Sequence, residues 1–160
     1  MVDTILTYLL PDKSPNRIFI SPASILATSL VVMGGTIRFL CYREMGKHFT
    51  FQVTLLKDHK LITGGPYSYV RHPGYTGGCL SIIGIAIWCT TQGSWLRESE
   101  TYKTSLAWLV LAPVIVAVSL LFIALFRRIP TEDEMLKETF GKEWDEWAMK
   151  VPARIFPGIY

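Results

Sequence analysis

The chain lacks the usual devices for holding a nucleotide-like cofactor. No Gly-x-Gly-x-x-Gly follows a strand pattern, no phosphate-cradling loop appears, and no Cys or His set has zinc spacing. Such a cofactor would need something other than a doubly wound sheet. Cysteine is scarce: Cys41, Cys79 and Cys89 lie in or at the edge of apolar runs, as small buried hydrophobes, and imply no disulfide framework. Charged residues make up only 18% of the chain, and a dispersed net charge of +3 argues against nucleic acid as a partner. Met1–Leu10 has no basic leader and too short an apolar run for a cleaved signal, so Thr4–Leu10 reads as a short interfacial segment. Without repeats, low-complexity tracts or linkers, residues 1–160 read as a single domain.

Apolar residues, by contrast, make up 50% of the chain and collect in three runs. These lie at about 22–42, 73–95 and 104–126, and each meets the roughly 20-residue requirement for crossing a bilayer. The expected fold is an all-α integral membrane protein with three transmembrane helices, a short N-terminal segment and a C-terminal cytosolic amphipathic helix. Ser21 and Pro22 form a helix start, and Pro113 is expected to kink the third span. Lys and Arg are denser in 43–71 and 127–160 than on the opposite side, which places that loop and the tail in the cytosol and the N-terminus across the membrane. Trp95 and Trp108 read as far-side belt residues. Phe49–Val53 is β-prone, while His48 and His59 have no identifiable partners. Thr131-Glu132-Asp133-Glu134 matches a capping box, followed by Leu136, Phe140, Trp144, Trp147 and Val151 at helical spacing with a break at Gly141.

Gly65-Pro66-Tyr67 leads through Arg71-His72-Pro73-Gly74-Tyr75 directly into the second run, so a polar cluster sits at a membrane boundary. Topology brings it near Arg127, Arg128, Glu132, Asp133 and Glu134. Taken singly, these residues have plainer readings: Arg127 as a positive-inside anchor, Glu134 as the capping partner, His72 as a boundary residue satisfied by backbone. As a constellation on one membrane face they offer cations, carboxylates and aromatic faces together. Gly74, Gly77, Gly78, Ser81 and Gly84 let a helix or a ligand come close to the second span.

From about Gly34 onward, Gly65-Pro66-Tyr67, Val70-Arg71-His72-Pro73-Gly74-Tyr75, Arg128-Ile129, Glu132-Asp133, Phe140-Gly141 and Trp144 resemble isoprenylcysteine carboxyl methyltransferases. The paired motifs are specific; the apolar spans are not. The resemblance implies S-adenosylmethionine as cofactor and the carboxylate of a prenylated protein C-terminus, or of a lipophilic small-molecule acid, as methyl acceptor. It implies cofactor contacts from Gly65, Pro66, Tyr67, His72, Tyr75, Glu132 and Asp133, with Asp133 standing where the family usually has Glu. Arg128 and Arg154 are the candidates for holding the acceptor carboxylate, with Glu132 beside them. In a eukaryote the expected membrane is the endoplasmic reticulum. The wider group includes phospholipid amine N-methyltransferases, one alternative; a non-catalytic membrane scaffold is another. Family members usually have five or more spans, so a three-span chain is a shortened member, a fragment, or one that completes its bundle as an oligomer.

Overall fold

The computed structural model describes residues 18–46 and 60–158. The N-terminal segment, the β-prone Phe49–Val53, His48 and His59 lie outside the described residues. Among the described residues there are helices and no strands. They are α1 (Pro22–Met45), a 3-10 turn (Gly65–Ser68), α2 (Pro73–Thr90), α3 (Trp95–Glu98), a 3-10 turn (Thr101–Lys103), α4 (Ser105–Phe140) and α5 (Lys142–Lys150). Three stretches, Pro22–Met45, Pro73–Glu98 and Ser105–Phe140, are long and apolar enough to cross a membrane. The protein is an integral membrane protein.

Local chemistry explains the starts and breaks. The Ser21 hydroxyl accepts from the Ser24 N–H at 3.2 Å, the cap expected ahead of Pro22. Two expectations are corrected. The second span was read as one helix to residue 95, but α2 ends at Thr90 and Trp95 begins α3. Gly93 turns the chain there with φ +82°, and a side chain on it would collide with the Phe19 carbonyl. Second, Thr131 does not start a helix. α4 runs unbroken from Ser105 through Phe140, so the N–H groups that a capping box would satisfy are already inside a helix. At 36 residues α4 is about 54 Å long, well beyond a hydrocarbon core of about 30 Å, so one helix carries both a span and polar residues. The break does fall at Gly141, which has φ +53°.

The chain divides into two compact units. One contains residues up to Val32 with Ser81–Ser119. There Gly84 comes so close to α1 that a Cβ would stand 2.7 Å from the Ala27 carbonyl, and Ser21 Oγ meets Thr91 Oγ1 at 3.2 Å. The α4 side chains Leu106, Leu109 and Val110 are exposed, as suits a lipid-facing surface.

The other unit contains Met33–Leu80 with Leu120–Tyr160. A Cβ on Gly77 would stand 2.6 Å from the Gly34 carbonyl. Trp144, Trp147 and Val151 form a buried cluster against Leu61, Tyr67, Leu136, Phe140 and Ala148. This is the amphipathic face expected from the sequence, divided between the end of α4 and α5.

Candidate active site

His72 is the last residue before α2, and its carbonyl accepts from the N–H groups of Tyr75 (3.0 Å) and Thr76 (3.3 Å) in the first turn. The C-terminal segment holds this corner. The Arg71 N–H donates to the Ala153 carbonyl at 2.9 Å and the His72 N–H to the Arg154 carbonyl at 2.8 Å. Thr76 Oγ1 adds a 2.7 Å bond to the carbonyl of Ile155, which is fully buried. Residues 71–76 and 153–155 are therefore joined through main chain, which fixes where their side chains start.

Those side chains meet two carboxylates on α4. His72 Nε2 lies 3.0 Å from Asp133 Oδ1, and Nδ1 lies 3.4 Å from Glu132 Oε2. Asp133 Oδ2 also lies 3.1 Å from Arg71 Nη1 and 3.1 Å from Arg154 Nε. Glu132 Oε1 accepts from the Tyr75 hydroxyl at 2.8 Å and from Arg128 Nε at 2.6 Å. The Arg128–Glu132 pair is four residues apart on one helix face. Pairing of this density is what burying charge requires.

Burial alone would push the His72 imidazole down, but hydrogen bonds to Asp133 and Glu132, and their charges, raise it above its ordinary value. With both ring nitrogens against carboxylates, the surroundings of His72 favour its protonated form. Three guanidiniums, Arg71, Arg128 and Arg154, face two carboxylates, a positive excess before His72 is counted. His72 and Asp133 are buried, whereas the Arg128 and Arg154 side chains are 37% and 33% exposed and Glu132 is 20% exposed. Groups able to meet an incoming molecule are thus the two arginines and Glu132; His72 and Asp133 hold them in place. For a cofactor carrying an ammonium, a carboxylate and ribose hydroxyls, this donor set fits: Glu132 for the first or the last, Arg128 and Arg154 for the carboxylate.

Gly65, Pro66 and Tyr67 form the 3-10 turn before this corner. Gly65 has φ +58°, and a Cβ there would stand 2.8 Å from Glu44 Cγ. The Tyr67 hydroxyl donates to Met45 Sδ at 3.0 Å, and its carbonyl accepts from Trp147 Nε1 at 3.2 Å. Burial above all, with Cys41 and then Glu132 adding, pushes its phenol well above the usual range, so Tyr67 is a neutral donor. Structure therefore joins His72, Tyr75, Arg128, Glu132, Asp133 and Arg154 in one bonded cluster. It anchors the Gly65–Ser68 turn to α1 and α5 instead. Arg71, expected in the polar cluster as a cation without a named partner, is an ion-pair partner of Asp133, and its guanidinium lies 5.5 Å over the Trp144 ring. One residue went unnoticed in the sequence. Arg38 is a charged residue inside the first apolar run, and that interruption was its signal.

Residues 26–96 match the Isoprenylcysteine carboxyl methyltransferase (ICMT) family. The chain is 33% identical over 125 residues to a probable protein-S-isoprenylcysteine O-methyltransferase of Oryza sativa subsp. indica, covering 76% of this chain and 55% of the relative. It is 30% identical over 131 residues to the protein-S-isoprenylcysteine O-methyltransferase of Schizosaccharomyces pombe, covering 81% and 48%. A cobalt-zinc-cadmium resistance protein, CzcN of Cupriavidus metallidurans, is 35% identical over 103 residues, covering 64% and 38%. The chain thus spans about half the length of the two O-methyltransferase relatives.

Proposed function

We propose, for a chain whose residues 26–96 belong to the isoprenylcysteine carboxyl methyltransferase family, that it methylates the carboxylate of a prenylated cysteine or similar lipophilic acid at the cytosolic membrane face. S-adenosylmethionine supplies the methyl group, on a sulfonium that needs no activation by the protein. The observation that carries this reading is the cationic excess at the start of α2, where two partly exposed arginines border apolar helices. A carboxylate acceptor is already ionised at neutral pH, so the residues need only strip its water, neutralise it and align it at about 3–3.5 Å from the methyl. Arg128 and Arg154 are placed for the anionic ends of cofactor and acceptor, and Glu132 for the cofactor's ammonium or hydroxyls. Tyr75 and His72 hold Glu132 in position. The prenyl chain contributes roughly 0.8 kcal/mol per buried CH₂ and reaches the site from the bilayer.

Methylation of a phospholipid amine would need a base to take the amine proton. His72 is occupied at both ring nitrogens and Asp133 by three cations, which favours the acid over the amine. The dense Lys and Arg content of 127–160 supports a cytosolic C-terminus, and in a eukaryote the endoplasmic reticulum.

The test is calorimetric binding of S-adenosylhomocysteine to detergent-purified protein, wild type beside His72→Ala, followed by methyl transfer to a prenylcysteine acid and to phosphatidylethanolamine. Binding lost at least about tenfold in the variant, with transfer to the acid alone, is expected, since charged hydrogen bonds are worth about 1.5–3 kcal/mol. A folded wild type that binds no S-adenosylhomocysteine would return the chain to the scaffold reading.

A further inference from the structure

Every arginine in the cluster already has a carboxylate from the protein: Arg71 and Arg154 share Asp133, and Arg128 holds Glu132. Arg38 differs. Its Nη1 donates to the Gly74 carbonyl at 3.3 Å, its Nη2 donates to the Tyr42 hydroxyl, and its guanidinium lies 5.5 Å over the Tyr42 ring. These are neutral partners, and among the described residues no carboxylate lies within ion-pair reach of Arg38.

Its setting is apolar and open. Arg38 is exposed and stands seven residues before the end of α1, about 10 Å along the helix. The second span makes room for it: a Cβ on Gly77 would stand 2.9 Å from Arg38 Cγ, and one on Gly78 would stand 3.5 Å from Nη1. Gly74, which it holds, is next in sequence to Tyr75, the Glu132 partner. A full charge within a membrane-spanning helix, held only by neutral oxygens, calls for an anion. That anion must come with an apolar body, because the surroundings are the side chains of a span.

We propose that Arg38 is a substrate-binding residue that receives the acceptor's carboxylate as it arrives from the bilayer, beside the first turn of α2. This rests on the proposed function and alters one part of it. Arg128 and Arg154, already paired with Glu132 and Asp133, serve the cofactor side of the cluster, and the acceptor's counter-charge is Arg38. A guanidinium can grip a carboxylate through two parallel N–H donors, which a lysine cannot reproduce.

The test uses the full chain in nanodiscs of zwitterionic phosphatidylcholine, comparing wild type, Arg38→Gln and Arg38→Lys. The readouts are the Kd for S-adenosylhomocysteine, the KM for an N-acetyl-S-prenylcysteine, and the Ki of its uncharged carboxamide. Arg38→Gln is expected to raise the acid's KM by about tenfold or more, the loss of a charged hydrogen-bond pair. It should leave the Kd and the carboxamide Ki within about twofold of wild type, with partial recovery in Arg38→Lys. Equal weakening of acid and carboxamide would make Arg38 a packing residue and overturn the proposal. So would an unchanged KM, or an effect that appears only when anionic phospholipid is added, which would make a lipid phosphate the counter-ion. A wild type that binds S-adenosylhomocysteine but transfers nothing to the acid would overturn the proposed function itself. A working wild type with an indifferent Arg38→Gln overturns only this inference.

Discussion

Around Gly84 and around Gly77 the chain does the same thing to the backbone and then diverges. A Cβ would meet the Ala27 carbonyl at 2.7 Å in the first case and the Gly34 carbonyl at 2.6 Å in the second. In the unit holding Gly84, several polar contacts inside the spans are hydroxyls returned to neighbouring main chain, such as Thr28 to Ser24 and Thr90 to Ala86. In the unit holding Gly77, five ionised side chains are joined around His72. Lipid tails solvate leucine as well as another helix does, so apolar contact alone gives little reason for one arrangement over another. Small residues fix closeness in both units. Charge fixes identity in only one, and chemistry is expected there.

The largest effect that would sharpen this contrast is at Asp133. Asp133→Asn leaves Arg71, His72 and Arg154 without the carboxylate they share, and Asp133 is buried. Removing one member of a buried ion pair costs about 3–5 kcal/mol. Thermal unfolding in detergent should show a fall of that order. A loss below about 1 kcal/mol would mean that water already reaches the cluster, and the two units would then differ less than their contacts suggest.

A smaller effect follows from His72 and pH. Its imidazole is raised above the ordinary value of 6.5. A raised folded-state value means that its stabilisation is fully present below about pH 6.5 and is lost as pH rises through the folded value. The groups facing it are Glu132 and Asp133 from α4, the Tyr75 ring at 5.7 Å, and Arg71, which competes for Asp133. The midpoint of unfolding should therefore fall as pH is raised above 6.5, and His72→Gln should flatten that slope. An identical slope in the variant would assign the titration to another group.

What could be read from the sequence follows from how local each cause is. Apolar length marks a span wherever it occurs, and α1, α2 and α4 lie where the three runs do. Ser21 caps and Gly141 breaks because each acts on its own main chain. The fate of Thr131-Glu132-Asp133-Glu134 was not legible, since the capping pattern describes a helix start that the preceding turns of α4 remove. Glu132 and Asp133 face Tyr75, His72, Arg71 and Arg154, partners far away in sequence. The motif named most of the cluster's members without saying that Arg71 would pair with Asp133. Arg38 was hidden by its own surroundings, the one charged residue in the apolar run Pro22–Tyr42.

The smallest expected effect tests the other side of the comparison. Leu109 on α4 is 72% exposed in the unit that holds Gly84. In water, covering such a side chain would stabilise by about 1.5–3 kcal/mol, and truncating it would matter in proportion. In a bilayer the exposed leucine is already dissolved in hydrocarbon, folded or not, so Leu109→Ala should change stability by less than about 0.5 kcal/mol. Leu106 and Val110 share that exposure and should behave alike. A cost of about 1 kcal/mol or more, measured in nanodiscs, would mean that this face packs against protein and not lipid. The contrast between the units would then be one of partners, with the charged unit satisfied within the chain and the apolar one completed by a second copy.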